Sequence, residues 1–277
     1  MRIPSSRVSP SRKFASGSRV KLGTPSARPS PGGFTLIELL TVIAIIGILA
    51  AIVIPTVGSA RDKAQRAVDG NNLREIVKAA QIYAGENNDQ LPNPRTIPAT
   101  TLTNATQALL WPGILARSGI LTDPTFWFSK TDPFFAGVYP VSIINTTDAT
   151  KRTLDPSMTG KSLAWEFASG LKMSDTPATP IAWTRGLQTN GTWSLTSGTY
   201  KDSGGYIGFL GGNVAFYSNA GANATAGIFT SNNSARKTNN VQQAIPVAGF
   251  IFGIPPTGPG AGTILGRAAG TAAARGP

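Results

Sequence analysis

From Phe34 to Ile54 the chain runs for 21 residues with a single charged side chain, Glu38, after which the pattern changes. At 1.5 Å per residue this run makes a helix of about 31 Å, enough to cross a hydrocarbon core of about 30 Å. Pro55 and Gly58 follow, and Pro55 removes one backbone hydrogen bond and bends the helix. The next stretch is amphipathic. Ala64, Val68, Leu73, Ile76, Val77, Ala80 and Tyr83 step by three, four or five, the five falling across Gly70, and Arg61, Lys63, Arg66, Arg74, Glu75 and Lys78 fill the other positions. Gly85 suits the position just past the helix end, and Asn87-Asn88-Asp89 with Pro92 closes it. The pattern predicts one long helix, Phe34 to Ala84, its first half apolar all round and its second half presenting a stripe to a head domain.

Beyond Pro92 the apolar pieces shorten and alternate with Pro, Gly, Asp and Thr. Ala105 to Ala116 reads as a short helix ended by Gly119. Phe126-Trp127-Phe128, Gly137 to Ile144, Ser162 to Phe167 and Pro180 to Thr184 read as strands from their aromatic and β-branched content. Tyr206 to Leu210 and Asn213 to Tyr217 flank Gly211-Gly212, which predicts a hairpin whose two-residue turn uses the positive φ that glycine allows. The fold class is therefore α+β, a long N-terminal helix packed on a small antiparallel sheet. Five segments follow: a basic leader at 1–33, a transmembrane helix at 34–54, its amphipathic continuation at 55–92, a globular head at 93–254, and a disordered tail of Gly, Ala, Pro and Thr at 255–277.

Charge changes the picture once it is apportioned. The chain carries a formal +12, but residues 1–33 hold seven cations and no acid; without them 18 Lys+Arg face 13 Asp+Glu. The remainder is mildly basic, which speaks against a nucleic-acid partner. Cys and His are both absent, so a disulfide, a thiolate or imidazole metal site, a cysteine nucleophile and a histidine base are all excluded. Catalysis would rest on Ser, Lys or carboxylates, and the composition argues against an enzyme. Ordinary signal-peptide cleavage fits poorly. A basic region is present and Ala50-Ala51 mimics a cleavage site, yet the apolar run is too long and contains Glu38. Near the run, three cations precede it and four follow it, so local charge does not orient the span.

A carboxylate inside an apolar span costs about 2.5–3.5 kcal/mol on insertion scales, so it persists where it is used. Gly33-Phe34-Thr35-Leu36-Ile37-Glu38 resembles the prepilin processing site shared by type IV pilins and type II secretion pseudopilins. The stretch from Asn71-Asn72-Leu73-Arg74-Glu75-Ile76 through Tyr83-Ala84 to Leu91-Pro92 is similar to that of major pseudopilins, so the likeness covers residues 32–92. The resemblance implies cleavage between Gly33 and Phe34 by a prepilin peptidase, methylation of the new N-terminal Phe34, and a leader on the cytoplasmic side. It also implies that Glu38 meets the N-terminus of an adjacent subunit during filament growth. Glu38 lies one helical turn after Phe34, on the same face, and a dry carboxylate and ammonium are cheaper paired than alone. The plainer alternative is an acid that snorkels near the interface. Pro55 is either a simple exit from the membrane or, as the resemblance implies, a segment that unwinds when subunits pack; Gly47 is a second weak point.

The hairpin also resembles the C-terminal hairpin of pseudopilin-like proteins, where the turn usually reads Asp-Gly-His; here Gly211, Gly212 and Asn213 stand instead. Many pilins carry a C-terminal disulfide loop, so its absence leans towards the pseudopilins. Major pseudopilins often hold calcium in an acidic C-terminal loop. This chain has no acid after Asp202, and Asp148, Asp155 and Asp175 are scattered, so no metal and no cofactor are expected. Arg61, Lys63 and Arg66 read as a headgroup-facing or solvated collar, and Trp111, Trp127, Trp165, Trp183 and Trp193 as core or interface anchors. The partners implied are the prepilin peptidase, further copies and other pseudopilins in a filament, the secretion inner-membrane platform and membrane lipid. The expected function is a pseudopilus subunit anchored in the inner membrane by one span, with a periplasmic head. A type IV pilus subunit for adhesion or DNA uptake, and a non-polymerising membrane-anchored periplasmic binding protein, stand as alternatives.

Overall fold

The structure is a computed structural model, and it describes residues 33–94, 109–220, 227–230, 233–246 and 250–252. The expected leader, apart from Gly33, and the expected tail at 255–277 lie outside the described residues. The chain divides into two compact units, Met1–Val53 and Ile54–Pro277. In the first, helix α1 (Leu36–Glu86) begins, and its large apolar side chains from Leu36 to Val53 are exposed. The helix is unbroken through Pro55 and Gly58.

The second unit holds the rest of α1 and the head. In chain order the described elements are α2 (Leu110–Arg117), 3-10 turns at Pro124–Trp127 and Pro156–Met158, β1 (Trp165–Ser169), β2 (Pro180–Thr184), β3 (Thr199–Asp202), β4 (Gly205–Phe209), β5 (Val214–Tyr217), β6 (Ile228–Thr230), β7 (Asn233–Thr238), α3 (Val241–Ala244) and β8 (Phe250–Phe252). Five strands form one antiparallel sheet in the order β5-β4-β2-β1-β8, and β6 pairs with β7 in a second, two-stranded sheet. This is the α+β arrangement expected, a helix packed on a small antiparallel sheet.

The packing explains the sequence pattern. Asp69, Leu73, Ile76, Ala80 and Ala84, with Gly70 and Val77 beside them, make a continuous buried face at helical spacing. Gly208 of β4 lets the helix come close, since a Cβ there would stand 2.7 Å from a Val77 methyl. Gln81 donates to the Leu210 carbonyl at 2.6 Å. All five tryptophans are buried, as core residues. Trp111 stacks on Phe167 at 4.7 Å between centroids and donates to Ser169 at 2.6 Å.

Several local expectations are corrected. The stripe on α1 includes Asp69 and Gly70 and leaves Ala64 and Val68 exposed; the step of five marked two buried residues that are not hydrophobic. Gly85 is inside the helix, and Asn88 and Asp89 take the left-handed conformation instead, with the Asp89 N–H on the Ala84 carbonyl; short polar side chains tolerate that region. Phe126-Trp127-Phe128 is no strand, because Asp123 caps a 3-10 turn started by Pro124. Gly137–Ile144 is irregular apart from one bridge, Ile144 to Leu154. Strand β1 begins three residues later than expected, while β2 has the expected bounds. The helix expected from Ala105 starts at Leu110, its first residues lying outside those described. The hairpin turn has three residues, Leu210-Gly211-Gly212. Gly212 alone has positive φ, its N–H bonds the Phe209 carbonyl, and the Phe209 N–H bonds the Asn213 carbonyl, a type I turn with a glycine bulge.

Candidate functional site

Two groups of residues in α1 carry chemistry, one at its start and one where the helix meets the head. At the start Thr35 is the cap residue. Its backbone N–H and its hydroxyl both donate to Glu38 Oε2, at 2.8 and 2.6 Å, and the Glu38 N–H donates to the Thr35 hydroxyl at 3.3 Å. This is a capping box, a reciprocal arrangement that satisfies amides otherwise left open at a helix start. The sequence Thr-x-x-Glu carries that signal, and a search for amine pairing alone misses it. Both Thr35 bonds fall on Oε2. Phe34 is 75% exposed. Gly33 has nothing within 4 Å of where a Cβ would stand and no positive φ, so nothing within the described chain demands glycine there. Pro55 lies inside the helix, far along the chain from this group.

The second group was not legible as a site. Asp69 is fully buried in α1 and accepts hydrogen bonds from Ser129 Oγ at 2.5 Å, Tyr200 OH at 2.8 Å and Gln65 Nε2 at 3.0 Å. Burial pushes its carboxyl above the ordinary range, against the pull of those three donors, and nearby Asp132 adds to the rise. Tyr200 is pushed up by burial and by the Asp69 charge, so it remains a donor. One turn earlier the Arg66 guanidinium lies 5.2 Å from the Tyr200 ring centroid and 5.9 Å from that of Phe216, a cation–π seat. Arg66 is thus half-buried against the head, and only Arg61 and Lys63 of the expected collar are exposed. Gly70 completes the joint, since a Cβ there would meet the Tyr206 ring at 2.9 Å.

A second buried charge stabilises the head. Arg185 donates to Asp132 at 2.6 Å, to the Leu163 carbonyl at 2.5 Å and to the Ser197 carbonyl at 2.9 Å. Asp148 and Asp155 staple their own loops, and Asp175 accepts from the Lys172 amide. Among the described residues no cluster of acids, His or Cys could hold a metal ion.

Residues 28–54 match the family described as the prokaryotic N-terminal methylation motif. Gly33, Phe34 and Glu38 all fall within the match. The chain is also 33% identical over 121 residues to the type IV wide pilus major component PilA4 of Thermus thermophilus, covering 42% of this chain and 91% of that protein. The chain belongs to the type IV pilin and pseudopilin family. This pilin-family chain is also 42% identical over 60 residues to the type II secretion system core protein G of Pseudomonas aeruginosa, covering 22% of the chain and 42% of the relative. It is 34% identical over 64 residues to the prepilin peptidase-dependent protein A of Clostridium perfringens, covering 23% and 46%. The chain thus spans less than half the length of these last two relatives. No solved structure matches it. As a pilin-family member it is a structural subunit, processed as a prepilin and assembled with other subunits of its kind. Helix α1 is the one helix among the described residues long and apolar enough to cross a membrane, and it carries the methylation motif, which together support a single-pass inner-membrane anchor.

Proposed function

We propose that the chain is a pseudopilus subunit of a type II-like secretion system. The prepilin peptidase cuts between Gly33 and Phe34, the Phe34 amine is methylated, and Phe34 to Ile54 holds the subunit in the inner membrane with its head in the periplasm. Subunits then leave lipid and pack span against span, with the secretion inner-membrane platform and membrane lipid as partners. Helix association in lipid depends on packing and on satisfied polar groups. Glu38 pairs with the Phe34 ammonium of a neighbour, and Pro55 marks the place where the helix yields on packing. The observation that carries this is the one acid, Glu38, in an exposed apolar span that itself lies within the matched methylation motif. Gly33, free of any steric demand of its own, fits a residue chosen by the peptidase. The 42% identity to core protein G and the absence of Cys support the secretion branch.

A second reading, a type IV pilus subunit, is favoured by the match that covers 91% of the wide pilus component. Deleting the chain in its host separates the two. The secretion reading expects loss of exported proteins from the medium with long surface pili retained. Lost pili with intact export would replace it by the pilus reading. Intact-mass measurement on membrane fractions tests what both share, a mature chain starting at N-methylated Phe34; an uncut Met1, or a start near Ala51, would sink both.

A further inference from the structure

Ile54, Arg61, Val68, Glu75 and Ile82 of α1 stand seven residues apart in one series, apolar and charged by turns, and the two charges are opposite. All five belong to the second compact unit. A spacing of seven returns to nearly the same side of a helix, with a drift of about 20° each time. That side is turned from the buried face of Leu73, Ile76, Val77, Ala80 and Ala84, so the head leaves it open. Ile54, Val68 and Ile82 are 72%, 49% and 54% exposed, large aliphatic side chains that the fold leaves uncovered. Arg61 is exposed and makes no ion pair among the described residues, while Glu75 meets Lys78 through Oε1 at 2.8 Å in an exposed pair. Exposed pairs hold weakly, so Glu75 is open to a second cation. Three residues after each of the first four stand Val57, Ala64, Asn71 and Lys78, also exposed, which completes the 3-4 spacing of a helix-to-helix seam.

A second copy of the helix, running parallel because its anchor is the same, can be slid along this series, and few positions match. With no stagger Arg61 faces Arg61 and Glu75 faces Glu75. A stagger of seven residues sets a charge against an aliphatic side chain at every level. At fourteen, Ile54 meets Val68, Arg61 meets Glu75 and Val68 meets Ile82, so each level is apolar on apolar or opposite on opposite. At twenty-one the levels are mismatched again, and at twenty-eight Ile54 and Ile82 alone overlap. Like charges side by side repel, and ion pairs between helices choose partner and register.

We propose that this outer face of α1 docks a second copy of the chain, parallel and displaced by fourteen residues, about 21 Å along the helix, with Arg61 of one copy on Glu75 of the other. The series favours a copy that has moved along the axis over one standing level with it, and so sets a step for assembly. This neighbour is not the one reached through Glu38, which lies only four residues from Phe34; in a helical array one subunit meets neighbours at several displacements. The inference rests on assembly with further copies and holds for a pilus and a pseudopilus alike.

The chain has no Cys, so cysteines placed in it report this contact without background. Two differently tagged forms, Val68→Cys and Ile82→Cys, are expressed together in cells carrying the assembly machinery, and sheared filaments are sedimented and oxidised with copper phenanthroline. The mixed disulfide should dominate over the Val68→Cys homodimer. Arg61→Glu in both forms should lower the mixed product by at least about threefold, as an exposed attraction becomes a repulsion, and Glu75→Arg should do the same. Arg61→Glu with Glu75→Arg rebuilds the pair with its signs exchanged and should restore the product. Filaments that yield the Val68→Cys homodimer equally or in excess would overturn this register and leave assembly standing. So would single reversals without effect, or a double reversal no better than either. Absence of any sedimenting filament would overturn assembly itself, and this register with it.

Discussion

The joint at Asp69 makes a quantitative claim. Tyr200→Phe takes one donor from a buried carboxylate, and a hydrogen bond to a charged group contributes about 1.5–3 kcal/mol. Asp69→Ala strands the Tyr200 hydroxyl without a partner at a cost of about 1–3 kcal/mol. Ser129 keeps Thr131, whose hydroxyl lies at 2.8 Å and whose amide donates at 3.2 Å, and half-buried Gln65 turns to water, so neither adds much. The double variant leaves neither group alone, so its loss should fall short of the sum by about 1–3 kcal/mol, as for groups in direct contact. Asp69→Asn keeps an acceptor for Tyr200 and sheds a buried charge, and should lie within about 1 kcal/mol of the parent. All five tryptophans lie between 111 and 193 and are buried, so tryptophan emission during urea unfolding in micelles reports the head and not the span. Additivity to within about 0.5 kcal/mol would refute the coupling.

Acidification gives another test. Burial raises the folded-state values of Asp69 and Glu166 above their ordinary 3.8 and 4.5. For an acid raised in this way protons favour the folded state, so stability is fullest below the unfolded value and declines as pH rises through the folded one. The urea midpoint of the head should therefore climb from neutrality towards pH 4.5, and climb less steeply in Asp69→Asn, which keeps only the Glu166 share. Below 3.8 it should turn down as Asp148, held low chiefly by the Thr150 hydroxyl, is forced to protonate. A flat profile would refute the burial argument. Gly208→Ala should cost about 1–3 kcal/mol by overpacking, and Val77→Ala, which removes the methyl it meets, should recover part of that in the same unfolding assay; simple addition of the two losses would refute the close approach.

What was legible in the chain was whatever hydrophobic period alone decides. The apolar run and the stripe Leu73, Ile76, Val77, Ala80 located both halves of α1, and the turn glycines located the β4–β5 hairpin. The joint was hidden for a physical reason. Asp69 and Gly70 are the residues a hydrophobic count rejects, and they are buried because Tyr200, Ser129 and Tyr206, about 60 to 140 positions away in sequence, supply hydroxyl donors and a ring. Aromatic content misled at Phe126–Phe128, where Asp123 and Pro124 set the backbone locally. Strands β6, β7 and β8 escaped notice because runs of three to six residues rest on tertiary pairing more than on period, and the four residues of β3 are too few to show a period.

The capping box makes Glu38 a sharper test than charge alone. A capping box accepts Gln as well as Glu, so Glu38→Gln keeps the helix start and removes only the charge. Thr35→Val does the reverse. It deletes the hydroxyl that gives and accepts two of the three bonds, a loss of about 0.5–2 kcal/mol at a helix end, and keeps the carboxyl group itself. Because both Thr35 bonds fall on Oε2, Oε1 remains available to an amine from another subunit while the cap is in place, so capping and pairing do not compete. Under the pairing we propose, Glu38→Gln should be inserted and cleaved normally but form few crosslinked oligomers in cells carrying the assembly machinery, whereas Thr35→Val should retain most of them. If Thr35→Val abolishes the crosslinked ladder and Glu38→Gln leaves it whole, Glu38 serves the helix start alone and the intersubunit pair is wrong.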